Sequence, residues 1–309
     1  MTFLSYLALC IVIVFAYLVS SHRITKVAPY QFMRNRFLFL LLIAATPGLV
    51  VLRFFFPLKK KVEIFFSIDG DVVKDKKSSS EAIKATMHIL EARKVQRATW
   101  FINEGEFYWT KNYQQQLKAI LEHGWKIQLH SHTIEQQWNQ QGIPPSETTV
   151  RKALKKEKDR LDAFLKRNHT PKTYAFRAGK HMLGSHLKTL MSLQFSQDYS
   201  QYPGLKMKDA GGAYYDDTAL SPAATLQHEK GVLRIPNQLF FAPLTYFQYA
   251  RKTRGRIVLS HFFHPYELLD SKGNINKKRM LMLHLQFFLL HIVYPKKRYI
   301  DTEDLKKSG

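Results

Sequence analysis

From Val62 onward the chain alternates short apolar runs with amphipathic segments, and this alternation restricts the possible folds more than any other feature of the sequence. Runs of strand length include "VEIFFSI", "RATWFIN", "KIQLHSH", "YAFRAG" and "RIVLSHFFHP". Between them, "EAIKATMHILEARKV", "QQLKAILEHGW" and residues 147–168 carry apolar side chains at helical spacing. Strands that alternate with helices predict a mostly parallel sheet, with its chemistry at the carboxyl ends of the strands. We therefore predict one α/β domain over residues 62–309.

The first 61 residues are different in kind. Residues 2–20 form a run of 19 uncharged residues, and residues 37–57 form a second apolar run, each long enough to cross a bilayer as a helix. The first run lacks the flanks of a cleaved signal peptide, so residues 1–61 are expected to be a retained membrane anchor. Two spans with a basic linker between them place residues 62–309 on the extracytoplasmic side of the cytoplasmic (inner) membrane. Basic residues also follow the second span, so the numbers of positive charges on the two sides of the membrane are nearly equal.

The composition limits the kinds of partner and ligand that this chain can bind. The net charge is +23, but the basic residues are scattered and no nucleic-acid-binding motif is present, so we expect no nucleic-acid partner. The only cysteine is Cys10, which excludes an intramolecular disulfide and a thiolate metal cluster. Any bound metal must therefore be held by His, Asp or Glu. The late apolar stretch 280–294 is too short for a third span and predicts a core helix.

Polar side chains follow several of the predicted strands. Asp69 and Asp71 surround a glycine after the first strand, and His130 and His132 follow the third strand with the same spacing of two. Side chains two apart on an extended segment point the same way and can reach one ion. Asp-Gly-Asp is also common turn chemistry, and a histidine at a strand end is often structural, so neither pair decides the function alone.

Two later strands end in further candidates. Arg177 lies in "FRAGK", where an ordinary salt bridge is the alternative explanation. His264 lies in "SHFFHPYEL", where a proline stops the strand and a buried structural histidine is the alternative. Each signal is modest, but together they place candidate catalytic groups at the ends of successive strands of one sheet.

The order of these segments resembles the polysaccharide deacetylases of the NodB-homology type, carbohydrate esterase family four. The resemblance rests on "EAIKATMHILEARKVQRATWFINEGEF", "LKAILEHGWKIQLHSHT", "FRAG", "DYSQYPG", "FFHPYEL" and the tail "RYIDTEDL". It implies a distorted (β/α) barrel with a divalent metal, commonly zinc, in a groove at the strand ends. It further implies that Asp69 is the general base and that Asp71 and His130 bind the metal.

The same resemblance implies roles for the later residues. Arg177 matches the arginine that orients Asp69 and lowers its basicity, and His264 matches the general acid. Asp198 lies in a segment whose aspartate tunes that histidine, although the match is looser. The implied reaction removes acetyl groups from an N-acetylated polysaccharide or a lipid-linked amino sugar.

The chain departs from the family pattern at one metal position. The family motif requires a second metal histidine at position 134, where this chain has Ile134. His132 could rotate into the site, a carboxylate such as Glu135 or a water could fill it, or the site could bind metal weakly or not at all. We expect an active site that uses His132. The alternative is a catalytically impaired glycan-binding or assembly protein on the same fold.

Overall fold

The computed structural model describes residues 12–16, 44, 61–71, 76–103, 110–203, 206–208, 214–216, 226–237 and 257–306. Most of both predicted membrane spans lies outside the described residues; of them only 12–16 and 44 are described, and these are helical. Within the described ranges, no helix is both long enough and apolar enough to cross a bilayer. The membrane anchor over residues 1–61 therefore stays a prediction.

The described residues form two sheets. The larger has the strand order β10–β1–β2–β3–β4–β5–β9–β8, with β11 paired to the first half of β1, and β6 and β7 form a separate antiparallel pair. Every neighbouring pair in the larger sheet is parallel except β8 with β9. The strands are β1 (Val62–Asp69), β2 (Thr99–Asn103), β3 (Lys126–Ser131), β4 (Ala175–Ala178), β5 (Gln197–Asp198), β6 (Lys206–Lys208), β7 (Tyr214–Asp216), β8 (Gln227–Glu229), β9 (Val232–Arg234), β10 (Val258–Phe263) and β11 (Lys297–Ile300).

Helices connect most of these strands. They are α1 (Lys76–Ala92), α2 (Lys111–Glu122), α3 (Thr133–Gln141), α4 (Glu147–Arg167), α5 (Leu187–Ser192), α6 (Lys277–Val293) and α7 (Thr302–Lys306), with short 3₁₀ turns at Gly179–His181 and Pro265–Leu268. The longest, α4, begins at Ser146, whose hydroxyl accepts a hydrogen bond from the backbone N–H of Thr149. Its apolar side is buried, as the helical spacing of the sequence predicted.

The larger sheet is strongly curled. Phe65 on β1 stacks on Tyr199, which directly follows β5, with ring centroids 4.6 Å apart. Four strand spacings separate β1 from β5, which is about 19 Å in a flat sheet. The contact is possible only because the sheet bends round on itself. Its concave side encloses a cluster that contains Phe65, Phe101 and Tyr199, while Ile64 and Phe66 face the helices outside.

The late apolar stretch forms α6, which buries Met282, Leu283 and Phe287 in the outer core. The expectation of a core helix there is therefore confirmed. The architecture is an α/β fold whose curled, mostly parallel sheet forms a half-barrel, which confirms the predicted fold class for the part of the chain that the structure describes. The curl brings the carboxyl ends of strands that are not neighbours into one groove.

Candidate active site

One cavity of about 240 Å³ lies where the carboxyl ends of β1, β3, β4 and β10 meet. Its lining includes the aspartate that ends β1 and the one two residues later. It also includes the histidine near the end of β3, the histidine just after β3 and the histidine that follows β10. The full set is Asp69, Asp71, His130, His132, Ala178, Lys180, His181, His264 and Tyr266. The structure thus brings together five of the seven site residues that the sequence suggested, and Arg177 contacts this set from beneath.

The imidazole of His130 is fixed in one orientation. Its Nδ1 lies 3.0 Å from the carbonyl oxygen of Arg177, so Nδ1 carries a proton and donates it to that oxygen. Its Nε2 is buried without a hydrogen bond, although it lies 3.3 Å from Oδ1 of Asp71. A nitrogen lone pair that faces a carboxylate oxygen at this distance is unfavourable unless a cation lies beside both.

The imidazole of His132 faces the same carboxylate. Its Nε2 lies 3.3 Å from Oδ1 of Asp71 and its Nδ1 lies 2.7 Å from Oε2 of Glu135. Burial opposes protonation of His132, but the hydrogen bonds to Asp71 and Glu135 outweigh it and raise the pKa of His132 to about 10. Two carboxylates that attract a proton so strongly also attract a divalent cation.

These residues fit a divalent metal ion. Asp71, His130 and His132 each offer a ligand atom, and these atoms lie within 4.8 Å of one another. Two imidazole nitrogens with one carboxylate oxygen form a donor set typical of catalytic zinc. Each histidine also makes a hydrogen bond through its other ring nitrogen, to a backbone carbonyl or a carboxylate, as metal-bound histidines do.

Position 134 cannot supply the missing ligand in this structure. Ile134 lies in the first turn of α3, is only 2% exposed, and belongs to the outer hydrophobic core. His132 precedes that helix as its N-cap residue. Glu135 reaches back to His132 instead of taking the place of the absent histidine.

The position of the His132 ring depends on a glycine. A Cβ atom added at Gly179 would lie 2.3 Å from Nδ1 of His132 and 2.5 Å from its Cγ, closer than real Cβ contacts. Glu135 holds the other side of the ring and also contacts Nζ of Lys180 at 2.5 Å. The ring of His132 is therefore held between Gly179, in the turn that follows β4, and the buried carboxylate of Glu135.

Asp69 and Arg177 form a completely buried ion pair. Arg177 donates from Nη1 to Oδ1 of Asp69, and from Nη2 to the hydroxyl of Ser67 at 2.8 Å and to Oδ1 of Asn237 at 2.9 Å. Burial alone would raise the pKa of Asp69, but the positive charges of Arg177 and His264 lower it below the ordinary value. Asp69 is therefore ionised and able to accept a proton at neutral pH.

His264 lies opposite the metal ligands. Its Nε2 is 3.6 Å from Oδ2 of Asp69 and 3.8 Å from Oδ2 of Asp71. Its backbone N–H and its Nδ1 both face Oε1 of Glu267, at 3.2 Å and 3.0 Å. Burial would lower the pKa of His264, but the hydrogen bond to Glu267 and the nearby carboxylates raise it above the ordinary value. A protonated His264 can act as a general acid.

If the site catalyses the deacetylation that the sequence resemblance implies, we predict that Glu267→Gln lowers kcat by about 10- to 100-fold and leaves KM nearly unchanged. Glutamine keeps an acceptor for the ring N–H but removes the charge that stabilises the imidazolium, which carries part of the 10²–10⁴ of general acid catalysis. Steady-state kinetics on an N-acetylated oligosaccharide would measure this, with Glu147→Gln on α4 as the matched control. A raised KM with unchanged kcat would instead assign Glu267 to substrate binding.

Asp198 lies outside this cavity. Its carboxylate is buried at the end of β5, where it accepts hydrogen bonds from Nε of Arg234 at 3.0 Å and from the backbone N–H of Ser200 at 2.9 Å. Among the described residues, the carboxylate that contacts His264 through Nδ1 is Glu267. The suggested tuning role of Asp198 stays a prediction.

Sequence reasoning missed three groups of this site: Glu267 and Lys180 altogether, and Glu135 as a partner of His132. A usable signal existed, because both His132 and His264 are followed three residues later by a glutamate at the start of a helical turn. Of the aromatic residues with which a sugar ring could stack, Tyr266 lines the cavity. Tyr199 and Tyr202 are buried, at 0% and 3% exposure, and cannot serve as open stacking surfaces.

Comparison with known proteins finds one family model that matches part of the chain. A family model described as "Polysaccharide deacetylase" matches residues 59–195. A search of curated protein sequences found no match. Among solved structures, a 4-alpha-glucanotransferase from Thermococcus litoralis is similar with a TM-score of 0.53 at 10% identity, over 81% of this chain and 41% of that one. This chain thus spans about two fifths of the glucanotransferase, and the likeness concerns the fold alone.

Two carbohydrate esterases are also similar, at lower TM-scores. A family 4 carbohydrate esterase from Streptomyces lividans in complex with acetate aligns with 74% of this chain and 87% of its own, at 11% identity and a TM-score of 0.40. A family 4 acetyl xylan esterase from Clostridium thermocellum in complex with a cobalt ion aligns with 80% of this chain and 91% of its own, at 12% identity and a TM-score of 0.38.

The family match covers four residues that line the cavity, Asp69, Asp71, His130 and His132, together with Arg177 beneath it, and ends before His264. Residues 59–195 of this chain are therefore similar to the polysaccharide deacetylase family.

Proposed function

We propose that the chain is a metal-dependent hydrolase that removes N-acetyl groups from a cell-surface polysaccharide or a lipid-linked amino sugar. The observation that carries this proposal is the convergence of three chemical groups on one cavity. Asp69 supplies a buried base, His264 an acid, and Asp71 with the two histidines a cation-binding face. Together these three functions can catalyse amide hydrolysis, because the base and the cation activate the attacking water and the acid assists the leaving group.

Asp69 would accept the proton of the attacking water. Its Oδ1 is occupied by Arg177, while Oδ2 faces the cavity and His264. Arg177 keeps this carboxylate ionised and fixes its orientation through three further hydrogen bonds. As the water oxygen bonds to the acetamide carbon, the water proton moves to Oδ2, which is the free oxygen of the base.

His264 would protonate the leaving nitrogen. When the carbon–nitrogen bond breaks, the electron pair remains on the nitrogen of the sugar, and an unprotonated amide nitrogen is a very poor leaving group. Nε2 of His264 faces the cavity and carries the proton that this nitrogen takes up. The products are acetate and a free amino sugar, and the proton held by Asp69 returns His264 to its acidic form.

Asp71, His130 and His132 would hold the metal, and their nitrogen and oxygen donors favour zinc. A divalent ion bound there supplies Lewis-acid polarisation of the water and of the carbonyl. The buried Nε2 of His130, which has no hydrogen bond, supports this assignment, as does the contact of two imidazoles with one carboxylate. The hydrogen bonds of their outer nitrogens hold both rings in position before the ion binds.

The substrate is proposed from the family and the anchor. The apolar runs at residues 2–20 and 37–57 support attachment to the cytoplasmic membrane, with the catalytic domain on the extracytoplasmic side. Eight residues of β1 separate the end of the anchor region from Asp69, a strand length of about 26 Å. A cavity at that distance from the anchor supports a polymeric glycan as the substrate more than a sugar held at the lipid surface.

A metal-removal experiment tests the function. The full chain, purified in detergent, is expected to contain about one equivalent of zinc and to release acetate from N-acetylglucosamine oligomers. A chelator should abolish acetate release because the cation-binding face is emptied, and added zinc should restore it. A different outcome would be a protein that binds the oligomers but, even after zinc is added, binds no metal and releases no acetate. Such a protein would instead be a glycan-binding member of the family.

A further inference from the structure

A second cavity lies at the opposite end of the sheet. It has a volume of about 190 Å³ and is formed where α1 ends, where β11 begins and along one side of α6. Its lining is Ala92, Arg93, Lys94, Phe287, Phe288, His291, Lys297 and Tyr299. Its lining has three basic side chains, Arg93, Lys94 and Lys297, and three aromatic rings of Phe and Tyr, and no carboxylate. The amino end of β11 is at the far end of the sheet from the catalytic groove, so this cavity is separate from the proposed active site.

Two of the basic side chains of this cavity contact histidines. Arg93 donates from Nε to Nδ1 of His284 at 2.9 Å, and Nζ of Lys297 lies 2.8 Å from Nδ1 of His291. Within the described part of the chain, neither of these side chains nor Lys94 forms an ion pair with a carboxylate. Burial lowers the pKa of Lys297 to about 8, which shows that its charge is poorly compensated. An anion that entered the cavity would meet all three positive charges.

Exposed apolar side chains lie on the helix beside the cavity. Phe288, at its rim, is 40% exposed, and Leu281 on the same helix is 48% exposed. They are seven residues apart on α6 and therefore share one face. Peripheral membrane proteins bind anionic bilayers through surfaces of this kind. The cations attract the anionic headgroups, and the large apolar side chains insert at the boundary between headgroups and acyl chains.

The position of the cavity relative to the chain is informative. Lys297 pairs in register with Val62, the first residue of β1. The chain reaches Val62 directly after the apolar run 37–57, which the sequence predicts to span the membrane. This step depends on the proposed membrane anchor. If that run crosses the bilayer, the cavity opens near the membrane surface and the catalytic groove faces away from it.

We propose that this cavity binds the phosphate group of an anionic phospholipid headgroup. Arg93, Lys94 and Lys297 supply the positive charge, and the guanidinium of Arg93 offers planar donors suited to phosphate oxygens. Phe288 and Leu281 contact the acyl boundary around the headgroup. The domain is thereby held with the amino ends of its strands on the membrane and its active site directed outward.

The test compares lipid binding by charge-matched variants of the full chain. Detergent-purified protein is titrated with phosphatidylglycerol or phosphatidylcholine, and bound lipid is counted by native mass spectrometry. Lys94→Gln with Lys297→Met removes two cavity cations. Lys118→Gln with Lys188→Met removes the same charge from exposed positions on α2 and α5. The first double variant should bind phosphatidylglycerol about 30-fold more weakly than wild type, since each cation contributes about a factor of five near an anionic surface.

The control double variant should bind phosphatidylglycerol as wild type does, and neither variant should change binding of phosphatidylcholine. Equal phosphatidylglycerol affinities for both double variants would overturn the site. Inorganic phosphate that binds wild type as tightly as phosphatidylglycerol does, and displaces it, would overturn the lipid in favour of a soluble phosphate ligand. If the cavity variant lacks a thermal unfolding transition, Lys94→Glu, which alters one exposed side chain, gives the same comparison. None of these measurements requires deacetylase activity, so failure of the lipid site can be distinguished from failure of the proposed hydrolysis.

Discussion

Replacement of Asp69 by asparagine is expected to lower kcat/KM for deacetylation by about a thousandfold. Asparagine keeps the shape of the side chain and an oxygen for Arg177, but it cannot accept a proton from water, and general base catalysis contributes about 10²–10⁴. The loss should occur in kcat, because Asp69 acts on the reacting water and its other oxygen already contacts Arg177. Metal content should stay near the wild-type value, since Asp71 and the two histidines are intact.

Asp198→Asn is the matched control for this prediction. Asp198 is another buried aspartate with an arginine partner, Arg234, and it lies outside the cavity. Asp69→Asn leaves the buried Arg177 without its anion, whereas Arg234 in Asp198→Asn keeps its ion pair with Glu229, so thermal unfolding should show the larger loss for Asp69→Asn. Only Asp69→Asn should lose the catalytic rate. If Asp69→Asn kept more than a tenth of the activity, another group would be the base. If Asp198→Asn lost as much rate as Asp69→Asn, the suggested tuning role of Asp198 would gain direct support.

The sequence predicted the elements of the fold well, because each strand and helix carries its own periodicity. β1, β2, β3 and α4 occur where apolar runs and helical spacing placed them. The curl of the sheet has no such local signal. It depends on contacts such as Phe65 with Tyr199, whose partners are far apart in sequence and on strands that are not neighbours. For this reason the sequence gives no sign that Tyr199 packs inside the concave face.

The strand-end rule was also a good guide to the site, because parallel strands necessarily end at the same edge. It located the residues that the structure brings together, including Asp69, His130 and His264. It could not locate their supporting partners. The contacts of Glu135 with His132 and of Glu267 with His264 depend on side-chain rotamers and on short helical turns. For the same reason the sequence left open whether Glu135 is a ligand, whereas in the structure Glu135 contacts Nδ1 of His132.

Gly179→Ala should lower the zinc affinity of the full chain by at least about 100-fold. The new methyl group would occupy the space of the His132 ring, 2.3 Å from its Nδ1, and force the ring out of the site. Loss of an outer-shell contact alone weakens metal binding by about 10- to 100-fold, and loss of a ligand should exceed that range. Zinc affinity would be measured by competition with a chromophoric chelator, with His132→Ala as the direct comparison. Gly124→Ala, at a positive φ with open space around it, controls for the general cost of an added methyl group.

The result would also decide how this chain manages without a histidine at position 134. If Gly179→Ala bound zinc as tightly as wild type, His132 could not be a ligand, because the methyl group and the ring cannot occupy the same space. A rescue variant sharpens the comparison. Ile134→His, added to His132→Ala, should not restore zinc binding, since position 134 faces the hydrophobic core on α3 and a histidine there would be buried away from Asp71. Recovered binding in that double variant would show that the helix can turn its face to the metal, and that the family's usual ligand position is still accessible in this fold.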